Sequence, residues 1–171
     1  VVFISGHFDN FELMAMQIEK SGIDLAAIFR PLNNFFLNKT MEKIRKNYIC
    51  KKQIPKGLLG IRKILTFFKE GTSIALMIDQ RVSQGISSNF FNKPALTTTI
   101  PAQLVKKFNC WVVPISIERT NKHSFKMVVN KPIKFNENET VESITRNLNS
   151  WLEKIILNNP SQWIWSHNRW K

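Results

Sequence analysis

The chain has 171 residues, 43% of them hydrophobic, with only six Gly and seven Pro, which fits one globular domain and excludes a fibrous repeat. Lys and Arg number 25 against 12 Asp and Glu, a net charge of +13, so we expect an anionic partner such as nucleic acid, anionic lipid, a phosphorylated substrate or an acidic carrier protein. Two cysteines and three scattered histidines form no metal-ligand spacing, so we predict reduced thiols, no metal and no bound cofactor.

Residues 1–5 are apolar and predict a buried strand. They have no basic flank and are too short for a signal peptide. Nowhere does the chain approach the roughly 18 uninterrupted apolar residues of a membrane-spanning helix. A natural protein rarely begins inside a strand, so we expect the chain to be a fragment of a longer protein.

The first half of the chain alternates between strand and helix patterns. Apolar runs predict strands, and apolar residues at helical spacing predict amphipathic helices. Pro31 ends the second strand, and Gly71 ends the third helix. The predicted elements are strands at 1–5, 25–29 and 73–78 and helices at 10–20, 35–48 and 57–70.

The second half begins with a polar segment, residues 82–96, that predicts a loop. Thr99 is a plausible N-cap for a helix through residue 108, because Pro101 is tolerated in a first turn. The alternation of strands and helices predicts a single α/β domain over residues 1–171, with a mostly parallel central sheet flanked by helices. The remaining elements are strands at 111–117 and 125–129, a docked helix at 141–157 and an aromatic tail at 163–170.

His7 and Glu12 are candidates for acid–base chemistry. His7 follows the first strand and Glu12 falls in the first helical turn, so the carboxylate could fold back onto the imidazole. It would then fix the ring tautomer and leave the other nitrogen free to take a proton. On spacing alone, a helix-capping His7 and an exposed Glu12 fit equally well. No nucleophile elbow surrounds Ser5, no phosphate-binding glycine motif occurs, and Cys110 fits a core position.

Five short segments carry a more specific pattern, and we quote them in chain order. They are residues 6–12 (GHFDNFE), 29–34 (FRPLNN), 79–80 (DQ), 90–97 (FFNKPALT) and 160–171 (PSQWIWSHNRWK). Together they resemble the late acyltransferases of lipid A biosynthesis, the lauroyl and myristoyl transferases, within the glycerolipid acyltransferase superfamily. That superfamily is defined by a His followed five residues later by Asp or Glu.

The chain departs from the family pattern at four positions. Asp9 stands where glycine is usual, Phe11 replaces tryptophan, Asn34 replaces proline and Asn92 replaces glycine. The carboxylate of Asp9 could alter the local charge beside His7, and the sequence leaves open what effect this has on the base or on the choice of acceptor. The family also usually has an N-terminal hydrophobic anchor and a leading helical region, which we expect to belong to the longer protein of which this chain is a fragment.

The resemblance implies an O-acyltransferase that moves a fatty acyl chain from acyl carrier protein, or from CoA, to a hydroxyl of a phosphorylated lipid A precursor. It implies His7 as the general base and Glu12 as the residue that orients it. Arg30 is expected on a substrate phosphate or a developing oxyanion, or else in a salt bridge at the strand end, with Asp79 as a candidate partner. Asp79 is expected to be structural more often than catalytic. The other residues expected on the substrate side are Asn10, Gln80 and Arg81.

The resemblance also implies partners and a location. We expect acyl carrier protein, a phosphorylated glycolipid and the anionic cytoplasmic face of the inner membrane of Gram-negative bacteria. The helices at 35–48 and 57–70 and three tryptophans of the tail could contact that membrane, or could simply pack in the fold. The alternatives are an acyltransferase acting on another glycolipid, lysophospholipid or aminolipid, and, more remotely, a basic lipid- or nucleic-acid-binding module. Most aromatic residues fall in apolar runs, which disfavours nucleic-acid stacking.

Overall fold

The computed structural model describes residues 1–170, apart from the side chain of Leu58. The chain folds into two compact units, one made of Val1 and Glu12–Leu76, the other of Val2–Phe11 and the chain from Met77 onward. The α/β class with mostly parallel strands and flanking helices is confirmed. The assignment of residues 1–171 to one catalytic domain stays a prediction. Lys171, the end of the closing motif, lies outside the described residues.

The structure contains eight strands and five α-helices within the described residues. A π-helical turn at Arg45–Ile49 extends α2, and a short 3-10 turn at Pro160–Gln162 follows α5. In chain order the elements are β1 Val2–Ser5, α1 Glu12–Lys20, β2 Leu25–Phe29, α2 Phe35–Ile44, β3 Lys52–Pro55, α3 Leu58–Lys69, β4 Ser73–Met77, β5 Ile86–Phe90, β6 Lys93–Thr97, α4 Ile100–Phe108, β7 Val112–Arg119, β8 Phe125–Val129 and α5 Val141–Asn158.

The first unit is built on three parallel strands in the order β3-β2-β4. β2 is central, with Ala26 opposite Lys52 of β3 on one side and opposite Ile74 of β4 on the other. Its core is formed by apolar side chains that are essentially inaccessible to solvent, as expected for a parallel sheet covered by helices. These side chains include Leu25, Ala26, Ile54, Ile64 and Ile74.

The second unit contains β1, β7 and β8 and a separate antiparallel hairpin, β5-β6. β1 runs parallel to β7, with Phe3 opposite Val113, and β8 pairs antiparallel with the other edge of β7. One face of α5 packs into this unit with buried residues at helical spacing. They are Ile144, Thr145, Leu148, Asn149, Leu152 and Ile156.

The predicted loop at residues 82–96 is wrong, because most of this segment forms the β5-β6 hairpin. Ser88 and Phe90 are buried while their neighbours Ser87 and Asn89 are exposed, which is a period of two hidden by small polar residues. The two-residue turn at 91–92 has positive φ at both positions, 51° and 59°, as in a type I′ turn. Phe-Asn is an uncommon sequence for that turn, so the local signal was weak.

Other boundaries differ in smaller ways. Strand β3 was not predicted, and the helix predicted at 35–48 changes from α to π after Ile44. Thr99 occupies the N-cap position of α4 but its side chain makes no capping hydrogen bond. The aromatic tail contributes a single antiparallel bridge, Phe8 to Trp163. Within the described part of the chain, no helix combines the length and apolar character needed to cross a membrane.

We predict that Gly60→Ala destabilises the protein. Gly60 lies in α3 directly over β3, and a Cβ there would stand 2.0 Å from the carbonyl oxygen of Pro55. The backbones of α3 and β3 cannot move apart without disrupting their packing. The free energy of unfolding should therefore fall by about 1–3 kcal/mol in urea titrations. Leu59→Ala is the matched control, because Leu59 lies in the same helix and is 72% exposed. Equal stability of the two variants would contradict the close packing of α3 on β3.

Candidate active site

His7 lies just beyond β1 in the second unit, where its main chain and its ring both bind Asp79. Ile78 donates from its backbone N–H to the carbonyl oxygen of Ser5 at 2.9 Å, which aligns the two segments. The backbone N–H of His7 then donates to Asp79 Oδ2 at 2.7 Å, and its ring Nδ1 lies 2.7 Å from Asp79 Oδ1. This two-point contact fixes both the position and the rotation of the imidazole.

Asp79 is a buried carboxylate, only 3% exposed. Besides the two contacts from His7, its Oδ2 accepts a hydrogen bond from Trp163 Nε1 at 2.9 Å. Burial raises the pKa of Asp79, but the hydrogen bonds from His7 and Trp163 and the charge of His7 together bring the pKa below its ordinary value. Asp79 is therefore an ionised carboxylate at neutral pH, held by three donors.

The remaining ring nitrogen of His7, Nε2, is the one available for chemistry. In the tautomer that carries its proton on Nδ1, the ring donates a hydrogen bond from Nδ1–H to Asp79, and Nε2 has a lone pair. The side-chain nitrogen of Gln80 lies 3.5 Å from Nε2, too far for a strong hydrogen bond, and the His7 side chain is 18% exposed. The edge of Phe11 packs against the ring with centroids 4.6 Å apart. The arrangement suits a general base that takes a proton from a bound hydroxyl.

Gly6 makes this geometry possible. A Cβ at Gly6 would stand 2.9 Å from Leu152 Cδ1, 2.9 Å from Phe8 Cε2 and 3.4 Å from Asp79 Oδ2. Alanine at this position would require the side chains of Leu152 and Phe8 to shift, whereas 3.4 Å from the carboxylate oxygen is an ordinary contact. The close packing against Leu152 of α5 and Phe8 therefore favours glycine before His7.

The C-terminal segment encloses the other side of Asp79. Trp163 is 4% exposed and packs edge-on against Trp165, with ring centroids 4.5 Å apart. Four residues further on, His167 Nε2 accepts a hydrogen bond from the backbone N–H of Arg81 at 2.9 Å. The segment Asp79–Arg81 is therefore bound by the chain end at both its first and its last residue.

Arg169 is the largest fully buried side chain of the described residues. It donates to the carbonyl oxygen of Leu96 at 2.7 Å and to Thr97 Oγ1 at 2.6 Å, and its guanidinium lies 5.0 Å from the ring centroid of Phe90. Burial lowers the pKa of Arg169 to about 10, while the charge of Asp79 raises it. The residue remains cationic at neutral pH and ties the closing motif to the β5-β6 hairpin.

Asp9, one of the four departures noted in the sequence, adopts a left-handed backbone with φ of 38°. Its two carboxylate oxygens accept hydrogen bonds from Arg119 at 2.9 and 2.7 Å. The side chain of Gln162 bridges to the backbone of Arg119 at 2.7 and 3.0 Å. The hydrogen bond from Arg119 is the main cause that lowers the pKa of Asp9.

Glu12 is the residue that the sequence predicts to orient His7. In the first unit its carboxylate accepts hydrogen bonds from Arg45, at 2.8 Å from Nε and 2.6 Å from Nη2. In the second unit, the carboxylate that binds His7 Nδ1 is that of Asp79. Whether Glu12 acts in catalysis stays a prediction.

Arg30 is an exposed residue directly after β2. In the described residues of the first unit, no carboxylate lies within salt-bridge distance of it. Phe29 and Pro55 are register partners in β2 and β3, which places Arg30 and Lys56 at neighbouring strand ends. Burial and the charge of Arg30 both lower the pKa of Lys56. Two cations that lie together without a carboxylate suit an anionic ligand.

The other predicted substrate residues have simpler surroundings. Asn10 and Arg81 are exposed in the second unit, and Gln80 is half-buried beside His7. Sequence reasoning missed the contacts of Trp163 and Arg119 with the two aspartates. Trp163 lies in the closing motif, but its spacing to Asp79 carries no local signal. Within the described residues, no group of three or more His, Cys, Asp and Glu side chains is placed to hold a metal ion.

We predict that Trp163→Phe destabilises the protein, because it removes one of the three donors to a buried, ionised carboxylate. The free energy of unfolding at neutral pH should fall by about 1–3 kcal/mol in urea titrations. Trp165→Phe is the matched control, since its Nε1 donates to the carbonyl of Pro160 from a side chain 57% exposed. A loss no larger than that of the control would show that the indole N–H does not stabilise Asp79.

Comparison with known proteins identifies the family of the chain. The family model described as bacterial lipid A biosynthesis acyltransferase matches residues 1–171, the whole of the chain. A comparison with individually curated proteins gives no match. The match covers all five motif segments, including those that hold His7 and Asp79. The chain belongs to the bacterial lipid A biosynthesis acyltransferase family.

Proposed function

We propose that the protein transfers a fatty acyl chain from acyl carrier protein to a hydroxyl of a lipid A precursor, with His7 as the general base. The family supports the acyltransferase activity. The observation that supports the base is the His7 ring, which is bound through Nδ1 to a buried carboxylate, is 18% exposed, and has at Nε2 only the long contact with Gln80. In this arrangement the base is oriented before any substrate arrives.

The proposed reaction proceeds in two steps. His7 Nε2 removes the proton of the acceptor hydroxyl as its oxygen attacks the thioester carbonyl. The tetrahedral intermediate then expels the carrier thiol, which takes the proton from His7, so an ester forms and a thioester breaks. The Asp79 carboxylate stabilises the imidazolium between the two steps, as an ionised partner of this kind does in other acyl-transfer sites.

Glu12 remains a second candidate for charging His7, as the sequence predicts. Its ion pair with Arg45 supports a different role, holding the start of α1 to the π-helical turn. Substitution of Arg45 breaks the same ion pair without touching Glu12, which allows the two roles to be separated.

The charge distribution supports the proposed partners. The net charge of +13 favours an acidic carrier protein, a phosphorylated acceptor and the anionic cytoplasmic face of the inner membrane. Arg30 and Lys56 supply the paired cations that a sugar phosphate would use. CoA as the donor, and another glycolipid, a lysophospholipid or an aminolipid as the acceptor, are the alternatives that keep the same base.

We predict that the protein adds one acyl group to the lipid A precursor in Gram-negative cells that lack their own late acyltransferase. His7→Ala should abolish the addition, because removal of a general base typically costs about 10²–10⁴-fold in rate. Mass spectrometry of the membrane lipids measures both. If the lipid A precursor stays unchanged while the protein is present in the membrane, the proposed identity of the acceptor is wrong. If acylation persists in the His7→Ala cells, the proposed role of His7 as general base is wrong, whereas the family assignment is unaffected.

We also predict that Asp79→Asn lowers kcat by about 10²–10⁴-fold, because the amide neither stabilises the imidazolium nor selects the Nδ1–H tautomer. Initial rates with acyl carrier protein thioester give kcat and KM separately, and KM should change little. Urea titration of the same variant checks that it is folded.

Glu12→Gln and Arg45→Gln serve as the paired comparison. Equal, modest decreases of kcat in both variants would assign Glu12 to its ion pair. A far larger decrease of kcat in Glu12→Gln would instead support Glu12 as a partner of His7. Full activity in Asp79→Asn would rule out the proposed role of Asp79.

A further inference from the structure

Helix α2 presents a surface that the rest of its unit leaves uncovered. Each of its ten residues is at least partly exposed, although a helix of a globular protein normally buries an apolar stripe. The exposed fractions of Phe35, Phe36 and Leu37 in its first turn are 64%, 81% and 58%. Leu32, just before the helix, is 40% exposed. Large apolar side chains at consecutive positions form a contiguous patch, which marks an interaction site.

The first turn is held rigid, so the patch is built into the fold. The side chain of Asn34 accepts hydrogen bonds from the backbone N–H groups of Phe36 and Leu37, at 3.0 and 3.1 Å. A side chain of this type at the N-cap stabilises a helix start. Asn38 adds a second tie, since its Oδ1 accepts from the backbone N–H of Leu32 at 2.8 Å.

Basic residues follow the apolar turn along the helix. Lys39, Lys43 and Lys46 are exposed and lie four and three residues apart, which places them on one side of the helix. The ammonium of Lys39 lies 4.4 Å from the ring centroid of Phe35. Residues 35–49 contain four basic side chains and one acidic side chain, a net charge of +3. An apolar end bordered by lysines is the pattern of a segment that lies in a membrane interface.

We propose that the first turn of α2 inserts into an anionic lipid bilayer, with Phe35, Phe36 and Leu37 among the acyl chains and the three lysines on the headgroup phosphates. This inference deepens the proposed function and rests on it, because an enzyme acting on a lipid A precursor must reach a substrate held in a membrane. It assigns the contact to a specific helix end.

A bilayer fits this surface better than an acidic carrier protein does. The lysines would suit either partner, because both carry negative charge. The apolar residues project from a helix end and would need a matching recess on a protein surface. A bilayer accepts such a projection without a preformed recess, and Lys39, which already lies over the ring of Phe35, can reach the headgroups from there.

The test measures co-sedimentation of the 171-residue chain with vesicles of phosphatidylcholine alone or mixed with phosphatidylglycerol, with no acyl donor present. We expect binding to the anionic vesicles, and a loss of at least about tenfold in partitioning for Phe35→Ser/Phe36→Ser, given the transfer free energy of two aromatic side chains. The matched control is Val129→Ser/Leu157→Ser, since these apolar side chains are 60% and 67% exposed elsewhere.

A second pair of variants tests the charge. Lys39→Gln/Lys43→Gln/Lys46→Gln should weaken binding to the anionic vesicles more than Lys63→Gln/Lys122→Gln/Lys131→Gln, which removes three exposed lysines from other surfaces. Equal losses in the two triple variants would overturn the assignment of the headgroup contact to α2.

Two further outcomes would also overturn the proposal. One is vesicle binding that the double serine variant leaves unchanged. The other is that the double serine variant loses binding to acyl carrier protein but keeps its binding to vesicles. His7→Ala should bind vesicles as the unsubstituted chain does, so failure of membrane binding and failure of the proposed chemistry are told apart.

Discussion

The candidate active site depends on one buried carboxylate, that of Asp79. Its two oxygens accept hydrogen bonds from the backbone N–H and the ring of His7 and from the indole N–H of Trp163. A carboxylate this deeply buried would be neutral without such donors, and the donors would be misplaced without the carboxylate. Since His7 is held at two atoms, its free nitrogen has a single direction in the folded state. The orientation of the base is therefore set by folding.

The closing segment of the chain gives this carboxylate its surroundings. Trp163 covers Asp79, His167 binds the backbone of Arg81, and Arg169 joins the segment to the β5-β6 hairpin. Buried Arg169 is stabilised by two oxygen acceptors, by the ring of Phe90 and by the charge of Asp79. A buried cation without these contacts would be strongly destabilising. The described residues of four of the five motif segments, all but Glu12, thus lie in the second unit, and the segment that contains Arg30 lies in the first.

Much of the architecture could be predicted from the sequence, because local apolar patterns determine it. The strands Leu25–Phe29 and Phe125–Val129 were predicted at their observed limits. The carboxylate that binds His7 could not be found in this way. Glu12 lies five residues from His7 and was the obvious choice, whereas Asp79 is 72 residues away along the chain. Spacing reports only local contacts, and the pairing of distant strand ends depends on the sheet order. The hairpin β5-β6 was missed because small polar residues obscure its alternation.

Two of the four departures from the family pattern, Asn34 and Asp9, are accommodated by local contacts. Asn34, which replaces proline, caps α2 with its side-chain oxygen and so fixes the exposed apolar turn. Asp9, which replaces glycine, tolerates a left-handed backbone better than a bulky residue would, and both of its oxygens bind Arg119. That ion pair neutralises the extra negative charge two residues from His7. In the second unit, the carboxylate in direct contact with the base is therefore that of Asp79, and this short contact sets the local electrostatics of the proposed reaction.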